Sequence, residues 1–161
     1  MKISNIIILL IIVVSIILGW GSIHLYANVR ETIEKSESEA LIYLKENAEV
    51  NDVRSVNFYH GSESYSVFEG TNEAQEAIYI WVENSLDNHI VKAKDSGLAF
   101  EEVLLYAKEE LKPKEIISIK LGIENLIPLY EIIYKDQQDR YSYYYISFKD
   151  GTYLKHYHLD M

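Results

Sequence analysis

His156, His158 and Asp160 alternate near the end of the 161-residue chain, a spacing that sets three metal-ligating side chains on one face of an extended strand. A closed zinc site takes four ligands, and neither a cysteine nor a second His-rich stretch stands ready to complete it. The pattern therefore reads as a solvated terminal strand, with no metal and no other cofactor expected. Nucleophilic chemistry needs a Ser or Cys beside a positioned base. The chain offers many serines and five histidines, but no nucleophile elbow, no HExxH and no glycine-rich phosphate loop. Triads assemble in space rather than in sequence, so geometry has the last word; the residues alone describe a chain that is not an enzyme. Asp136, Asp139 and Asp150 lack the donor spacing and central Gly of a calcium loop.

Tyrosine is the unusual part of the composition, with 14 residues. Eight of these, Tyr130, Tyr134, Tyr141, Tyr143, Tyr144, Tyr145, Tyr153 and Tyr157, crowd into the last third of the chain. Tyr141, Tyr143 and Tyr145 share one face of a strand. Strand propensity accounts for much of the pattern, because tyrosine fits a pleated, half-buried surface. A docking face is the alternative, since rigid aromatics give contact area at small entropic cost. On that reading Tyr141, Tyr143 and Tyr145, with Tyr79 and Trp81 from Ala77-Ile-Tyr-Ile-Trp-Val, are the candidate partner-binding residues.

The elements that position them repeat. From Glu31 to Ala48, apolar Ile33, Ala40, Leu41, Leu44 and Ala48 form a helical stripe opposite Glu, Lys and Ser. After Ala48 the period changes to two, with strands at Val53 to Tyr59, Tyr65 to Glu69, Ala77 to Val82 and Ile90 to Ala93. The turns His60-Gly61-Ser62-Glu63 and Glu69-Gly70-Thr71-Asn72 punctuate them. A second stripe, Phe100, Val103, Leu104, Ala107 and Leu111, ends at Pro113. Strands follow at Ile116 to Leu121, Leu129 to Tyr134, Tyr141 to Phe148 and Tyr153 to Tyr157. Leu41-Ile-Tyr-Leu-Lys-Glu lies on Leu104-Leu-Tyr-Ala-Lys-Glu, Tyr65-Ser-Val-Phe on Tyr130-Glu-Ile-Ile, and Tyr79-Ile-Trp-Val on Tyr145-Ile-Ser-Phe. The fold class is thus α+β, with two helix-plus-meander modules, 28–95 and 96–161. Each lays one helix on an antiparallel sheet of three to four strands. Each module alone buries little, so the two are expected to dock.

Residues 6–27 hold no side chain charged at neutral pH and suffice to cross a hydrocarbon core as a transmembrane helix. A cleaved signal peptide is the alternative, although no A-x-A-like cleavage site is clear. A short tail, 1–5, with Lys2 points to a cytoplasmic amino terminus and extracytoplasmic modules. The net charge of −10 excludes nucleic acid as a partner, because an acidic domain is repelled by phosphates. Oligomeric state is not legible.

Taken in order, the short anchor, the Glu-rich helix, Tyr65-Ser-Val-Phe-Glu-Gly-Thr, Ala77-Ile-Tyr-Ile-Trp-Val and Tyr141-Ser-Tyr-Tyr-Tyr-Ile-Ser-Phe ending in Asp150-Gly151 resemble the YpmB/TseB-like family of Gram-positive bacteria. The resemblance implies two cystatin-like, PepSY-related modules on a membrane anchor. It also implies a non-enzymatic regulator of cell wall elongation that acts with a class B penicillin-binding protein. Direct binding of wall glycan or peptide, or inhibition of an extracytoplasmic protease, are the other readings. Leu98 departs from the Ser or Thr cap usual in such modules, which leaves Ser96 as the expected cap of the second helix.

Overall fold

The structure is a computed structural model that describes residues 3–48 and 50–159, with side chains at 3–9 and 21–27 outside the description. Two compact units divide the chain, Met1–Ser36 and Glu37–Met161. The first helix, α1 (Ile3–Asn47), supplies all the described residues of the former. Within that unit Leu10 to Val14, Ile16 to Leu18 and Trp20 stand exposed, and Arg30 Nε lies 2.7 Å from Glu34 Oε1 one turn on. The expected span at 6–27 falls partly outside the described side chains. Among the described residues no helix is long and apolar enough to cross a membrane.

The unit Glu37–Met161 holds two antiparallel four-stranded sheets. The first contains β1 (Val50–His60), β2 (Ser64–Asn72), β3 (Ala77–Glu83) and β4 (His89–Ala93), in that spatial order. After a 3₁₀ turn (Lys94–Ser96) comes α2 (Phe100–Tyr106), which runs into a π-helical turn (Ala107–Leu111). Lys112, at φ +46°, and Pro113 stop it. The second sheet contains β5 (Glu115–Glu124), β6 (Ile127–Lys135), β7 (Tyr141–Ser147) and β8 (Tyr153–Leu159). The α+β architecture and the strand spacing agree with the sequence pattern.

Ala40 and Leu44, one turn apart at the end of α1, are buried on Phe68, Ile78, Ile80 and Val82. The opposite face of that sheet, Tyr65, Val67, Tyr79 and Trp81, is buried in a second cluster shared with the second module. Cover on both sides explains why Tyr65 to Phe68 and Ile78 to Val82 are buried without alternation. In the second module Val103 and Ala107 are buried in the same cluster as Tyr130, Ile132 and Ile146, and Tyr106 Oη lies 3.0 Å from Tyr144 Oη.

Three details depart from the sequence pattern, the first being that Glu69 to Asn72, expected as a turn, complete β2, with the chain turning at Glu73 to Glu76 instead. Ser96 does not cap α2; its hydroxyl donates to Ala93 O at 2.6 Å inside the 3₁₀ turn, and Ala99 is the N-cap, its N–H bonded to Glu102 Oε2 at 2.7 Å. The repeat alignment also shifts. Ile80 pairs with Phe68 and Ile146 with Tyr130, so Phe68, not Tyr65, occupies the place of Tyr130. A shift of three residues changes the face, and Tyr65 points away from the helix while Tyr130 points toward it.

The modules meet through aromatics and close backbone approach. Phe148 packs edge-on to Tyr79 and Trp81, with centroids 6.0 and 5.7 Å away, and tilts against Tyr130 at 5.9 Å. Asn57 Nδ2 donates to Leu121 O at 2.8 Å, tying β1 to β5. The Tyr59 ring lies on Gly122, where an added Cβ would fall 2.4 Å from a ring carbon. Gly122→Ala should therefore lower stability by about 1–3 kcal/mol, the usual cost of overpacking. Thermal melting checks it; an unchanged midpoint would show that Tyr59 does not depend on that approach.

Candidate functional site: a tyrosine-lined cleft

A cleft of about 610 Å³ opens over the face of the second sheet that points away from α2. One wall is the β1–β2 hairpin, Phe58 to Ser62; the floor is Glu131, Tyr143, Tyr145, Lys155 and Tyr157, with Lys120, Glu124 and Asn125 along β5 and its turn. Strand alternation puts these floor residues on one face, since Tyr145 pairs with Glu131 and Lys155, and Tyr143 with Tyr157. Two bulges in β1, between Asn51 and Arg54 and between Ser55 and Asn57, bend the strand whose far end forms the wall.

The rings form a ladder. Tyr157 stacks on Tyr143 at 4.9 Å and 9° between planes, and on Tyr145 at 5.9 Å and 24°. The Lys155 ammonium sits 4.3 Å from the Tyr145 ring centre. Tyr145 Oη donates to Glu131 Oε1 at 2.6 Å, which uses its one proton, so Tyr157 Oη must be the donor in its 3.0 Å bond to Tyr145. Lys155 Nζ bonds both oxygens of Glu124, at 2.6 and 2.8 Å, and Tyr59 Oη donates to the same carboxylate at 3.1 Å. Burial, then Glu131 and Tyr157, pushes the Tyr145 phenol well above its ordinary pKa; burial, then Glu124, does the same for Tyr59. Both remain donors at any physiological pH.

Of the candidate residues, Tyr143 and Tyr145 line this cleft, Tyr145 only 3% exposed. Tyr141 shares the face beyond the cleft, half-buried with Lys135 Nζ 5.5 Å from its ring centre, opposite exposed Leu159. Tyr79 and Trp81 are elsewhere. Trp81 is fully buried between the modules and presents no surface to a partner, and Tyr79 lies beside it beneath Lys94. Tyr157, Glu131, Glu124, Lys155, Lys120 and the hairpin escaped sequence reasoning. A signal existed for Lys155 and Tyr157, because they alternate along β8 as Tyr143 and Tyr145 do along β7.

The histidines lie on the other face. His156 and His158 have ring centres 4.3 Å apart, and Tyr134 Oη lies 3.3 Å from His156 Nε2. Among the described residues no group of three or more His, Cys, Asp or Glu side chains is placed to hold a metal, and Asp160 lies outside the described residues. Ser142 Oγ and Asp136 Oδ2 both approach His158 Nδ1, at 2.7 and 3.7 Å. A triad needs them on opposite ring nitrogens, and Ser142 is fully buried, so this trio does not form a nucleophilic site. Burial, then His158, holds His156 below its ordinary pKa of 6.5. The folded chain thus resists a proton that the unfolded chain accepts, so this contribution to stability is complete above about pH 6.5 and declines as pH falls through it. The melting temperature should be lower at about pH 5.5 than at about pH 7.5, and His156→Gln should shrink that difference. An equal difference in the variant would assign the pH dependence elsewhere.

The geometry has counterparts among known proteins. Residues 39–83, from the end of α1 through β3, match the model of the cell wall elongation regulator TseB-like domain. Over 135 residues, 83% of this chain and 84% of the other, the sequence is 26% identical to "Probable cell wall elongation regulator TseB" of Bacillus subtilis (strain 168). The solved structure of the YpmB protein from Bacillus subtilis superposes with a TM-score of 0.69 at 25% identity, covering 76% of this chain and 96% of that one. The resemblance read from the ordered motifs is borne out as a resemblance: residues 39–83 match a TseB-like domain, and the two-sheet architecture is similar to that of Bacillus subtilis YpmB.

Proposed function

We propose that the chain is a non-enzymatic regulator of cell wall elongation, held at the membrane by residues 6–27 and acting by contact with a class B penicillin-binding protein. The observation that carries this reading is similarity, over both modules, to a Bacillus subtilis protein named a probable cell wall elongation regulator. The family-model match describes the same role and no catalytic one.

Two features of the chain support the finer statements. The uncharged run from 6 to 27, with Leu10 to Val14 and Ile16 to Leu18 exposed, suits a lipid environment better than water. On that arrangement the tail at 1–5 is cytoplasmic and the modules extracytoplasmic. Tethering raises effective concentration, so a weak contact suffices. For that contact, Tyr141 and Leu159 offer an aromatic and apolar rim beyond the cleft, on the face that also carries Tyr143.

Crosslinking in membranes followed by purification of the full-length chain tests the reading. A protein that takes up fluorescent penicillin, and is a class B enzyme by mass spectrometry, should be recovered. Tyr141→Ser combined with Leu159→Ser should cut recovery several-fold while leaving thermal melting unchanged. Tyr145→Ser is the poorer choice, because it would also orphan Glu131 and Tyr157. Consistent recovery of no penicillin-binding protein by the wild-type chain would end the reading.

A further inference from the structure

We propose that the cleft between the β1–β2 hairpin and the tyrosine ladder binds an uncharged oligosaccharide. This goes beyond the protein contact proposed above and does not depend on it. Two lysines, Lys120 and Lys155, and two glutamates, Glu124 and Glu131, line the cleft, so it carries no formal net charge although the chain is strongly acidic. Glu124 is neutralised by Lys155, and Lys120 stands directly across the strand pairing from Glu131. Neither a phosphate nor a cationic side chain gains from such a lining, because each would meet a like charge as close as an opposite one.

Polarity excludes the opposite class. A purely apolar ligand would bury Glu131, the Tyr157 phenol and Lys120 without replacing their bonds to water, a penalty at each group left unpaired. The rings are engaged with one another, since Tyr157 stacks with both Tyr143 and Tyr145, and Lys155 covers Tyr145. The ladder thus brings hydroxyls as well as rings to the cleft. What remains is a ligand rich in hydroxyls, able to give and accept hydrogen bonds in the same few ångströms. Glu131 accepts, Lys120 donates, and Asn125 and Ser62 do either.

The cleft is also preorganised. The relay from Tyr157 through Tyr145 to Glu131, and the paired donation of Lys155 and Tyr59 to Glu124, hold these groups in place before anything binds. Little side-chain entropy is then left to lose, which matters for a sugar whose individual contacts are weak. A volume of about 610 Å³ falls within the range of small-molecule sites and leaves room for more than one pyranose ring.

The probes are the trimer of N-acetylglucosamine and, as a plain glucan, maltotriose, titrated into the full-length chain in detergent and followed by calorimetry. Saturable binding of either is expected. Glu131→Gln, whose amide oxygen still accepts from Tyr145, and Lys120→Ala, on an exposed side chain, should each weaken it about tenfold, the usual worth of a hydrogen bond to a charged group. Melting curves of both variants confirm that they fold. Absence of heat with both sugars, or binding that persists undiminished in both variants, would overturn the proposal. Saturable binding of a neutral Ala-Gly oligopeptide in place of either sugar would also overturn it and reassign the cleft to peptide. Recovery of a penicillin-binding protein is a separate readout, so it stands or falls independently of sugar binding.

Discussion

Phe148 sits where the two sheets and the connection between the modules meet. Its ring packs against Tyr79 and Trp81 of the first sheet and Tyr130 of the second. Its carbonyl accepts from Leu98 N–H at 2.8 Å, and its own N–H donates to Pro128 O at 3.0 Å. Gly97 lies under the ring, where a Cβ would come within 2.4 Å of it. The ring thus joins the inner face of the first sheet to the core of the second, and the backbone of the same residue fixes the path of the chain between them. Loss of the ring would uncover part of Trp81 and Tyr79, where full exposure of a large side chain costs about 1.5–3 kcal/mol. A first module covered only by α1 would be a thin, one-sided layer, and small sheets of that kind are marginal.

The cleft is a by-product of that docking. It lies between the β1–β2 hairpin of the first module and the β7–β8 face of the second. Tyr59 belongs to both structures: its ring fills the space left by Gly122, while its hydroxyl reaches Glu124 at the cleft wall. Glu124 then holds Lys155, which covers Tyr145. The site is therefore coupled to the core through a continuous set of contacts, and its shape depends on the modules staying docked.

Much of the fold was legible because period and punctuation agreed. Both helical stripes and all eight strands lie where the sequence pattern places them, although Glu69 to Asn72, read as a turn, extend β2 and the chain turns just after them. Faces were harder. Ala77-Ile-Tyr-Ile-Trp-Val has no polar alternation, so nothing local says that Tyr79 and Trp81 point into a second module rather than into solvent. Tyr65 and Tyr130 look alike in the repeat yet point to opposite sides, because residue identity is weaker than pairing register in setting a face. The site was half legible for the same reason. Tyr143 and Tyr145 declare themselves within one strand, whereas Glu131, Glu124, Lys155 and the hairpin reach the cleft only through pairing between strands and modules. Ser96 illustrates the same limit at a helix start, where an available hydroxyl closed a 3₁₀ turn instead of capping α2.

The packing makes residues 37–161 one cooperative body joined at Phe148. Hydrogen exchange under native conditions measures it most directly, because amides that share a cooperative opening exchange with a common free energy. In the full-length chain the core amides of β2 and β3 should open together with those of β6 and β7, and Phe148→Ala should lower protection in all four strands at once. Loss of protection in β6 and β7 with β2 and β3 unchanged would show two independent modules, and would contradict the account.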